Sequence, residues 1–235
     1  MAIKFDMVKA YNHVKWNFIG EMMRKLGFPV KWIQLIMNCI SIVSYSFMLN
    51  REVCGYIKPT KGLKQGDHIS SYLFLICAEG FSSLIDNVVS SGKLSGFKCS
   101  KKGPVLSHLF FADDSLIFSK ANEANCVAIR EILDVYAMTS GQFVNLNKSA
   151  MCISHSMSAA NGVKLASNVS VNLVNCLDRY LGLPCFIGRS KRKLFSDITD
   201  KVWNKIKGWG ERFLSVGRKK ILIKAVIQAI PIYTL

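Results

Sequence analysis

The sequence predicts an α+β fold, and three features indicate it. Short runs of β-branched and aromatic residues recur through the first 185 residues and are typical of strands. Between them lie longer segments in which apolar residues return at helical spacing. Beyond residue 185 the strand-like runs give way to basic helices. We therefore expect a mixed domain over 1–185 and a basic helical region over 186–235.

The first half of the mixed domain is expected to begin with a strand and end with a hairpin. Helical spacing, glycine and proline boundaries, and period-two alternation distinguish its helices from its strands. Asn50 and Arg51 supply the turn of the hairpin. In chain order we predict a strand over 2–6, helices over 14–26 and 29–40, and strands over 45–49 and 53–57.

The second half continues the same alternation. A glycine-bearing loop at 61–67 leads into a strongly apolar helix, and Gly141 ends a later amphipathic helix. In chain order we predict a helix over 70–89, strands over 105–111 and 116–118, a helix over 122–139, strands over 144–148 and 151–153, loop with some helix over 156–178, and a turn-like stretch over 180–184. Apolar residues then line two basic helices over 194–206 and 215–229.

The charge balance indicates a polyanionic partner. The chain has 31 Lys and Arg against 15 Asp and Glu, a formal net charge of +16. Residues 186–235 carry twelve Lys or Arg and three Asp or Glu, so more than half of the excess lies in the last fifth of the chain. Such an excess favours nucleic acid over a membrane surface.

Composition and motifs exclude several other classes. Eight cysteines are scattered singly, without a Cys-x-x-Cys pair, and four histidines complete no zinc spacing. No P-loop, nucleophile elbow or His-Glu-x-x-His motif occurs. Free cysteines and an N-terminus without a signal peptide predict an intracellular protein, in the nucleus or cytoplasm. Polar residues interrupt the uncharged run over 32–50, so we expect no membrane span there.

The strongest candidate for chemistry is the acidic pair Asp113-Asp114, which lies between two apolar strand-like runs. Asp favours turns, so the pair is expected at or beside a hairpin tip. Adjacent carboxylates repel, and divalent cations such as Mg²⁺ relieve that repulsion. Asp6, at the end of the first strand, is a third candidate carboxylate. The ordinary alternative is a solvated turn with a strand-end or helix-capping aspartate.

Several further residues are weaker candidates. Tyr11 can line a sugar pocket or simply join the core. Gln65-Gly66 precede a helix, where glycine lets a ligand approach the backbone, or they form a plain loop. Lys148 can donate a proton to a leaving group or remain solvated. The aromatics of the basic region, Trp203 among them, can stack on bases or pack in a core.

Together these segments resemble the reverse transcriptase of LINE-type non-LTR retrotransposons, in particular the plant branch. The resemblance covers nearly the whole chain and rests on the order of its motifs. The matching segments are Phe5-Asp6 with Lys9-Ala10-Tyr11, residues 61–67 with 70–74, Phe111-Ala112-Asp113-Asp114, residues 140–149, residues 180–184, Lys207-Gly208-Trp209, and residues 214–218 running on to Ile230-Pro231.

The resemblance implies a right-hand polymerase palm followed by a helical thumb. It implies that Asp6 and Asp113 bind two Mg²⁺ ions, or Mn²⁺, with Asp114 beside them. Tyr11 would exclude ribonucleotide sugars, and Gln65 with Gly66 would border the incoming deoxynucleoside triphosphate. The lysine of residues 140–149, Lys148, is the family's candidate proton donor. The expected partners are an RNA template and a DNA primer. The oligomeric state is left open.

The chain also departs from the family pattern. Asn12 stands where the family usually has aspartate, and His68 and Ser71 stand where it usually has prolines. The family's fingers lie upstream of Asp6 and are expected to be missing from this chain. Two alternatives to a polymerase therefore remain. One is a truncated, inactive remnant that still binds nucleic acid, and the other is a two-metal phosphodiesterase or nuclease on a different fold.

Overall fold

The computed structural model of the protein describes residues 1–98, 100–154, 156–177, 179–180, 183–184, 191–210 and 215–227. The chain divides into two compact units, residues 1–175 and 176–235. A functional boundary between 185 and 186 stays a prediction.

The secondary structure is mixed, as the sequence predicts. The strands are β1 (Ala2–Asp6), β2 (Tyr45–Leu49), β3 (Glu52–Ile57), β4 (Phe97–Lys98), β5 (Val105–Leu106), β6 (His108–Phe111), β7 (Asp114–Phe118), β8 (Ala150–Cys152), β9 (Asn172–Val174), β10 (Arg179–Tyr180) and β11 (Leu183–Pro184). The helices are α1 (Ala10–His13), α2 (Trp16–Lys25), α3 (Val30–Ser41), α4 (His68–Ser90), α5 (Glu123–Ser140), α6 (Ala159–Val169), α7 (Lys191–Gly210) and α8 (Val216–Leu222), the last continued by a π-helical segment, Ile223–Ile227.

A five-stranded sheet in the order β6-β7-β1-β8-β9 forms the centre of the first unit. Its first four strands pair antiparallel, which confirms the predicted α+β class. The last pair, β8 and β9, is parallel. Parallel neighbours need a crossover, and α6 supplies it within a segment that the sequence leaves weakly patterned.

One face of this sheet forms the core. Alternation along β1 buries Ile3 and Phe5 completely. Ile3 lies opposite Ile117 of β7 and Met151 of β8, and both of these are also fully buried. Helices α2, α4 and α5 pack against one another within the same core. The opposite face of β1 therefore carries the more exposed residues, and Asp6 is one of them.

Helix α4 is the longest described helix and begins at a clear cap. The Asp67 side chain accepts a hydrogen bond from the Ile69 N–H at 3.4 Å. Among the described helices, α4 is the one long and apolar enough to cross a membrane by length and composition. Core helices meet the same criteria, and one face of α4 is buried in the core through Phe74, Cys77 and Phe81. Packing thus accounts for much of its apolar content.

Some predicted elements differ from the structure. The predicted helix over 14–26 begins only at Trp16, as α2, because Val14 and Lys15 are not helical, and α1 precedes the predicted range. The predicted strand over 144–148 is wrong. Val144 makes an isolated bridge to Met7, and the chain then turns. Polar side chains at 145 and 149 bond locally to backbone there, in competition with an extended ladder.

Basic helices dominate the second unit. Ser215 caps α8 by accepting a hydrogen bond from the Arg218 N–H at 3.4 Å. The side chains of Arg218, Lys219, Lys220 and Lys224 are exposed. Part of the predicted turn-like stretch and the end of the predicted helix over 215–229 lie outside the described residues.

Candidate active site

Asp6 and Asp114 are brought together by strand register. They are direct partners where β1 pairs with β7. Directly opposed residues of an antiparallel pair project to the same face, with Cβ atoms about 5 Å apart. Both residues are partly exposed, on the face opposite the buried Ile3 and Phe5. The end of the sheet thus holds two carboxylates that solvent and ligands can reach.

Lys4 supplies positive charge at the same place. It precedes Asp6 by two residues on β1, so its side chain projects to the same face. Its Nζ lies 3.0 Å from Asp114 Oδ1, and the two side chains are 27% and 30% exposed. The ion pair is thus shielded in part from water. The sequence does not indicate this ion pair, because Lys4 and Asp114 are far apart in the chain.

Asp113 lies in the tip of the β6–β7 hairpin. Phe111 pairs with Asp114, so Ala112 and Asp113 form a two-residue turn. Ala112 has a φ of +50°, a left-handed conformation that costs free energy for any residue with a Cβ. Asp113 is exposed. Asp113 therefore directly precedes Asp114 and lies in the turn that closes the hairpin.

The backbone of Asp6 is held by the turn that follows α5. The Asp6 N–H donates to Ser149 Oγ at 3.2 Å, and the Asn145 N–H donates to the Asp6 carbonyl at 2.7 Å. Ser149 is fully buried and its hydroxyl donates to the Asn145 carbonyl at 2.8 Å. Sequence reasoning gives neither residue a role. No local signal identifies them, because the contact between Asp6 and Ser149 joins positions 143 residues apart.

Tyr11 lies in α1, two residues after Lys9, which caps the helix with a left-handed φ of +43°. The Tyr11 ring stacks on Phe74 of α4, with centroids 4.7 Å apart and an interplanar angle of 16°. The ring therefore has one face against a buried helix. This packing agrees with a wall of a pocket and equally with a core aromatic, the two alternatives that the sequence leaves open.

A buried polar network anchors the start of α1. Gln142 Nε2 donates to the Ala10 carbonyl at 3.1 Å, and Gln142 Oε1 accepts from the Tyr136 hydroxyl. Tyr136 is 3% exposed and its hydroxyl lies 3.2 Å from the Cys77 carbonyl. Burial raises the pKa of the Tyr136 hydroxyl far above its usual range, so it stays protonated and can donate. Sequence reasoning did not identify this network.

The loop over 61–67 is tied to the same segment. The Gly62 N–H donates to the Val14 carbonyl and the Leu63 N–H to the Tyr11 carbonyl, each at 2.7 Å. A Cβ on Gly62 would lie 2.7 Å from the Asn12 carbonyl oxygen, so only glycine permits this approach. These hydrogen bonds thus fix the loop against α1 and the residue that follows it.

A cleft of about 300 Å³ opens between this loop and the end of α3. Asn12, Trp16, Lys61 and Gln65 contribute to its lining. Gln65 and Gly66 are exposed, and Gly66 has a φ of +87° that favours glycine. The side chain of Gln65 therefore borders a space large enough for a small ligand, close in the chain to Leu63, which is hydrogen-bonded to the Tyr11 carbonyl.

Lys148 lies within the turn that holds Asp6. Its N–H donates to the Asn145 side chain at 3.4 Å, and the residue is exposed. This turn takes the place of the predicted strand. His68 and Ser71 are exposed at the start of α4.

The carboxylates suit a hard divalent cation by their chemistry. Two carboxylates on one face of the sheet and a third in the adjoining tip supply the oxygen ligands that Mg²⁺ and Mn²⁺ prefer. The described part of the chain contains no group of three or more His, Cys, Asp or Glu side chains already arranged to hold a metal ion. The residues fit such an ion, and the assignment of Asp6, Asp113 and Asp114 as its ligands stays a prediction.

Comparison with protein families gives a match over most of the chain. Residues 1–185 match the family described as reverse transcriptase (RNA-dependent DNA polymerase). A segment of 69 residues is 41% identical to an uncharacterized mitochondrial protein of Arabidopsis thaliana. That match covers 29% of this chain and 57% of the Arabidopsis protein.

Solved structures of similar fold include telomerases. The telomerase of Candida tropicalis in complex with a fragment of telomeric RNA has a TM-score of 0.57 at 14% identity, covering 99% of this chain and 37% of the telomerase. The telomerase of Candida albicans has a TM-score of 0.50 at 14% identity, covering 67% of this chain and 27% of its own. This chain thus spans well under half of those proteins, and the likeness concerns the fold.

Proposed function

The chain belongs to the reverse transcriptase (RNA-dependent DNA polymerase) family, and from this premise we propose that it carries out RNA-directed DNA synthesis. The proposed reaction is attack of a primer 3′-hydroxyl on the α-phosphate of a deoxynucleoside triphosphate, with loss of pyrophosphate. The observation that carries the proposal is the register that sets Asp6 opposite Asp114, beside the Asp113 turn.

In this proposal Asp6, Asp113 and Asp114 hold two divalent cations, Mg²⁺ or Mn²⁺. Bound ions of this kind activate an attacking hydroxyl and stabilise the charge on a leaving phosphate. The chain's own contribution is to fix the carboxylates. Strand pairing sets the direction of Asp6 and Asp114, and the Asn145–Ser149 turn fixes the Asp6 backbone from the other side.

The remaining candidates act on the nucleotide. Tyr11, held by its stacking on Phe74, would exclude ribonucleotides through a clash with their 2′-hydroxyl. Gln65, which lines the cleft, and the neighbouring Gly66 would border the nucleotide from the loop that is hydrogen-bonded to α1. Lys148 is exposed and reaches solvent, so it is free to protonate the leaving pyrophosphate.

The proposed partners are an RNA template and a DNA primer. The telomerase of similar fold was solved with an RNA fragment, and the second unit of this chain offers exposed basic side chains. Lysine and arginine neutralise phosphates without regard to sequence. The order of motifs supports a source in a plant LINE-type retrotransposon.

A second candidate is a remnant that binds nucleic acid without synthesis. The observation that favours it is the position of His68 and Ser71, in the first turn of α4 directly after Gln65 and Gly66. Proline at such positions would restrict the backbone, and its loss frees the segment that borders the nucleotide. A nuclease on a different fold finds no support in the polymerase-like architecture.

Primer extension tests the proposal. The parent chain and its Asp113→Asn variant are given an annealed RNA template and DNA primer, the four deoxynucleotides and Mg²⁺. We expect extension by the parent and none by the variant, because the substitution removes charge that balances the cations. Equal extension by both chains would refute the site. Binding of the template and primer without extension by the parent would establish the remnant.

A further inference from the structure

We propose that Lys4 is a built-in counterion of the acidic site, which competes with a divalent cation for Asp114 and so lowers the metal affinity of the chain. The inference rests on the proposed function, since it takes Asp6, Asp113 and Asp114 as the metal ligands. It assigns a role to a residue that is not itself a ligand.

The geometry places Lys4 inside the acidic cluster. Lys4 lies opposite Leu116 in the β1–β7 ladder, one diagonal step from Asp114 on the same face of the sheet. Its Nζ contacts Asp114 Oδ1 at 3.0 Å. Asp6 follows on the same strand and the same face. The ammonium group therefore sits against one of the oxygens that a cation in this cluster would use.

Electrostatics make the Lys4 ammonium group and a divalent cation compete for Asp114. Without a metal ion, the ammonium offsets the repulsion between neighbouring carboxylates. When a divalent cation approaches Asp114, the same ammonium repels it and must move away from the carboxylate or share it. A lysine can do this at low cost, because its charge is at the end of a flexible stem with no fixed bidentate geometry. Lys4 therefore offsets part of the negative charge of the site until a cation displaces it.

The consequence is measurable as metal affinity. Lys4→Gln removes the competing charge and retains a long polar side chain. We expect the variant to bind Mn²⁺ about tenfold more tightly than the parent, the size of effect that one nearby charge has in a partly exposed site. Lys4→Arg, which keeps the charge, should bind Mn²⁺ like the parent or more weakly.

The experiment is a titration of the full chain with MnCl₂, in which electron paramagnetic resonance measures the free Mn²⁺. Lys120→Gln is the matched control. It makes the same change in net charge just beyond the far end of β7, at an exposed residue. Far-UV circular dichroism of each variant confirms that the fold is retained. A second control, Asp113→Asn, reports whether the bound Mn²⁺ is at the proposed site.

Tighter binding in Lys4→Gln alone supports the proposal. Equal affinities in Lys4→Gln and Lys120→Gln, or weaker binding in Lys4→Gln, would overturn it while leaving the proposed function intact. If Asp113→Asn binds Mn²⁺ as the parent does, the metal lies elsewhere and the site assignment itself fails. The two failures are thereby distinguished.

Discussion

The two compact units of the chain use charge in opposite ways. In residues 1–175 the important charges are a few carboxylates at one end of a sheet, with their backbone fixed by register and by a buried serine. In the described part of residues 176–235, basic side chains predominate and are exposed on helices, as at Lys201, Lys205, Arg218, Lys219 and Lys220. The first arrangement suits chemistry at one point, and the second suits contact with an extended polyanion. Synthesis and binding should therefore be separable by substitution.

The largest expected effect is on synthesis and comes from the first unit. Asp6→Asn should lower the rate of primer extension by at least about a hundredfold, because it removes a charge aimed at the reacting centre. Affinity for the template and primer should change little. The matched control is Asp134→Asn, which neutralises an exposed aspartate on α5. A rate in Asp6→Asn equal to that of the control would remove Asp6 from the site.

The next effect is on binding and comes from the second unit. The double substitution Lys219→Gln and Lys220→Gln should weaken nucleic-acid binding by roughly tenfold at moderate salt. It should also reduce the slope of log affinity against log salt by about 1 to 2. Fluorescence anisotropy over a salt series measures both. The equivalent change at Lys101 and Lys102, an exposed pair in the first unit, serves as control. Equal loss in both pairs would show that binding is not concentrated in the helical unit.

A smaller effect, on stability, is expected from the buried polar network that anchors the start of α1. Gln142→Leu removes the hydrogen bond to the Ala10 carbonyl and leaves the Tyr136 hydroxyl without its amide acceptor. Urea denaturation should show a loss of about 1–3 kcal/mol, the cost of unsatisfied buried polar groups. Gln34→Leu, at an exposed site on α3, should change stability by under about 0.5 kcal/mol. A similar result for both variants would mean that the network contributes nothing.

The mildest effect is the dependence of stability on pH. Burial lowers the pKa of His108 below its ordinary value of 6.5, although Asp86 and Glu79 partly oppose the shift. The unfolded chain then binds a proton more readily than the folded one, so stability should fall as the pH drops through 6.5 toward the folded pKa. The slope from this residue is at most about 1.4 kcal/mol per pH unit.

His108→Gln tests that origin of the pH dependence. In the parent, Nε2 of His108 lies 2.7 Å from Ser82 Oγ, and Nδ1 lies 2.9 Å from Ser107 Oγ. The variant should be less stable at pH 7.5 but should lose less stability between pH 7.5 and pH 5. An unchanged loss over that range would assign the pH dependence to other groups.

Periodicity made much of the fold predictable. β1 is buried at alternate residues, as expected of a strand with one face in the core. The runs on both sides of Asp113 are identified as strands by their β-branched and aromatic content. The turn at Asn50 and Arg51 is confirmed, with positive φ at both residues. The strand predicted over 144–148 is wrong, since local hydrogen bonds of polar side chains compete with extended pairing.

The sequence offers the candidate residues of the site but not their arrangement in space. Acidic pairs are visible in a sequence, but the register that sets Asp6 opposite Asp114 joins strands more than a hundred residues apart. Register depends on how the whole core packs. For the same reason, the Lys4 ion pair, the Ser149 hydrogen bond and the Gln142 network have no local signal. Each is a contact between distant segments, and each becomes visible only in the folded chain.

We expect the first unit to carry out synthesis and the second unit to bind nucleic acid. The most direct test of these separate roles is primer extension at saturating template and primer. The parent, Asp6→Asn, and the double variant at Lys219 and Lys220 are compared at rising concentrations of annealed RNA template and DNA primer. High concentration should restore the double variant to the parental rate, because only its binding is weakened, and should leave the rate of Asp6→Asn as low as before. Restoration of Asp6→Asn, or a double variant that stays slow at saturation, would contradict this division of roles.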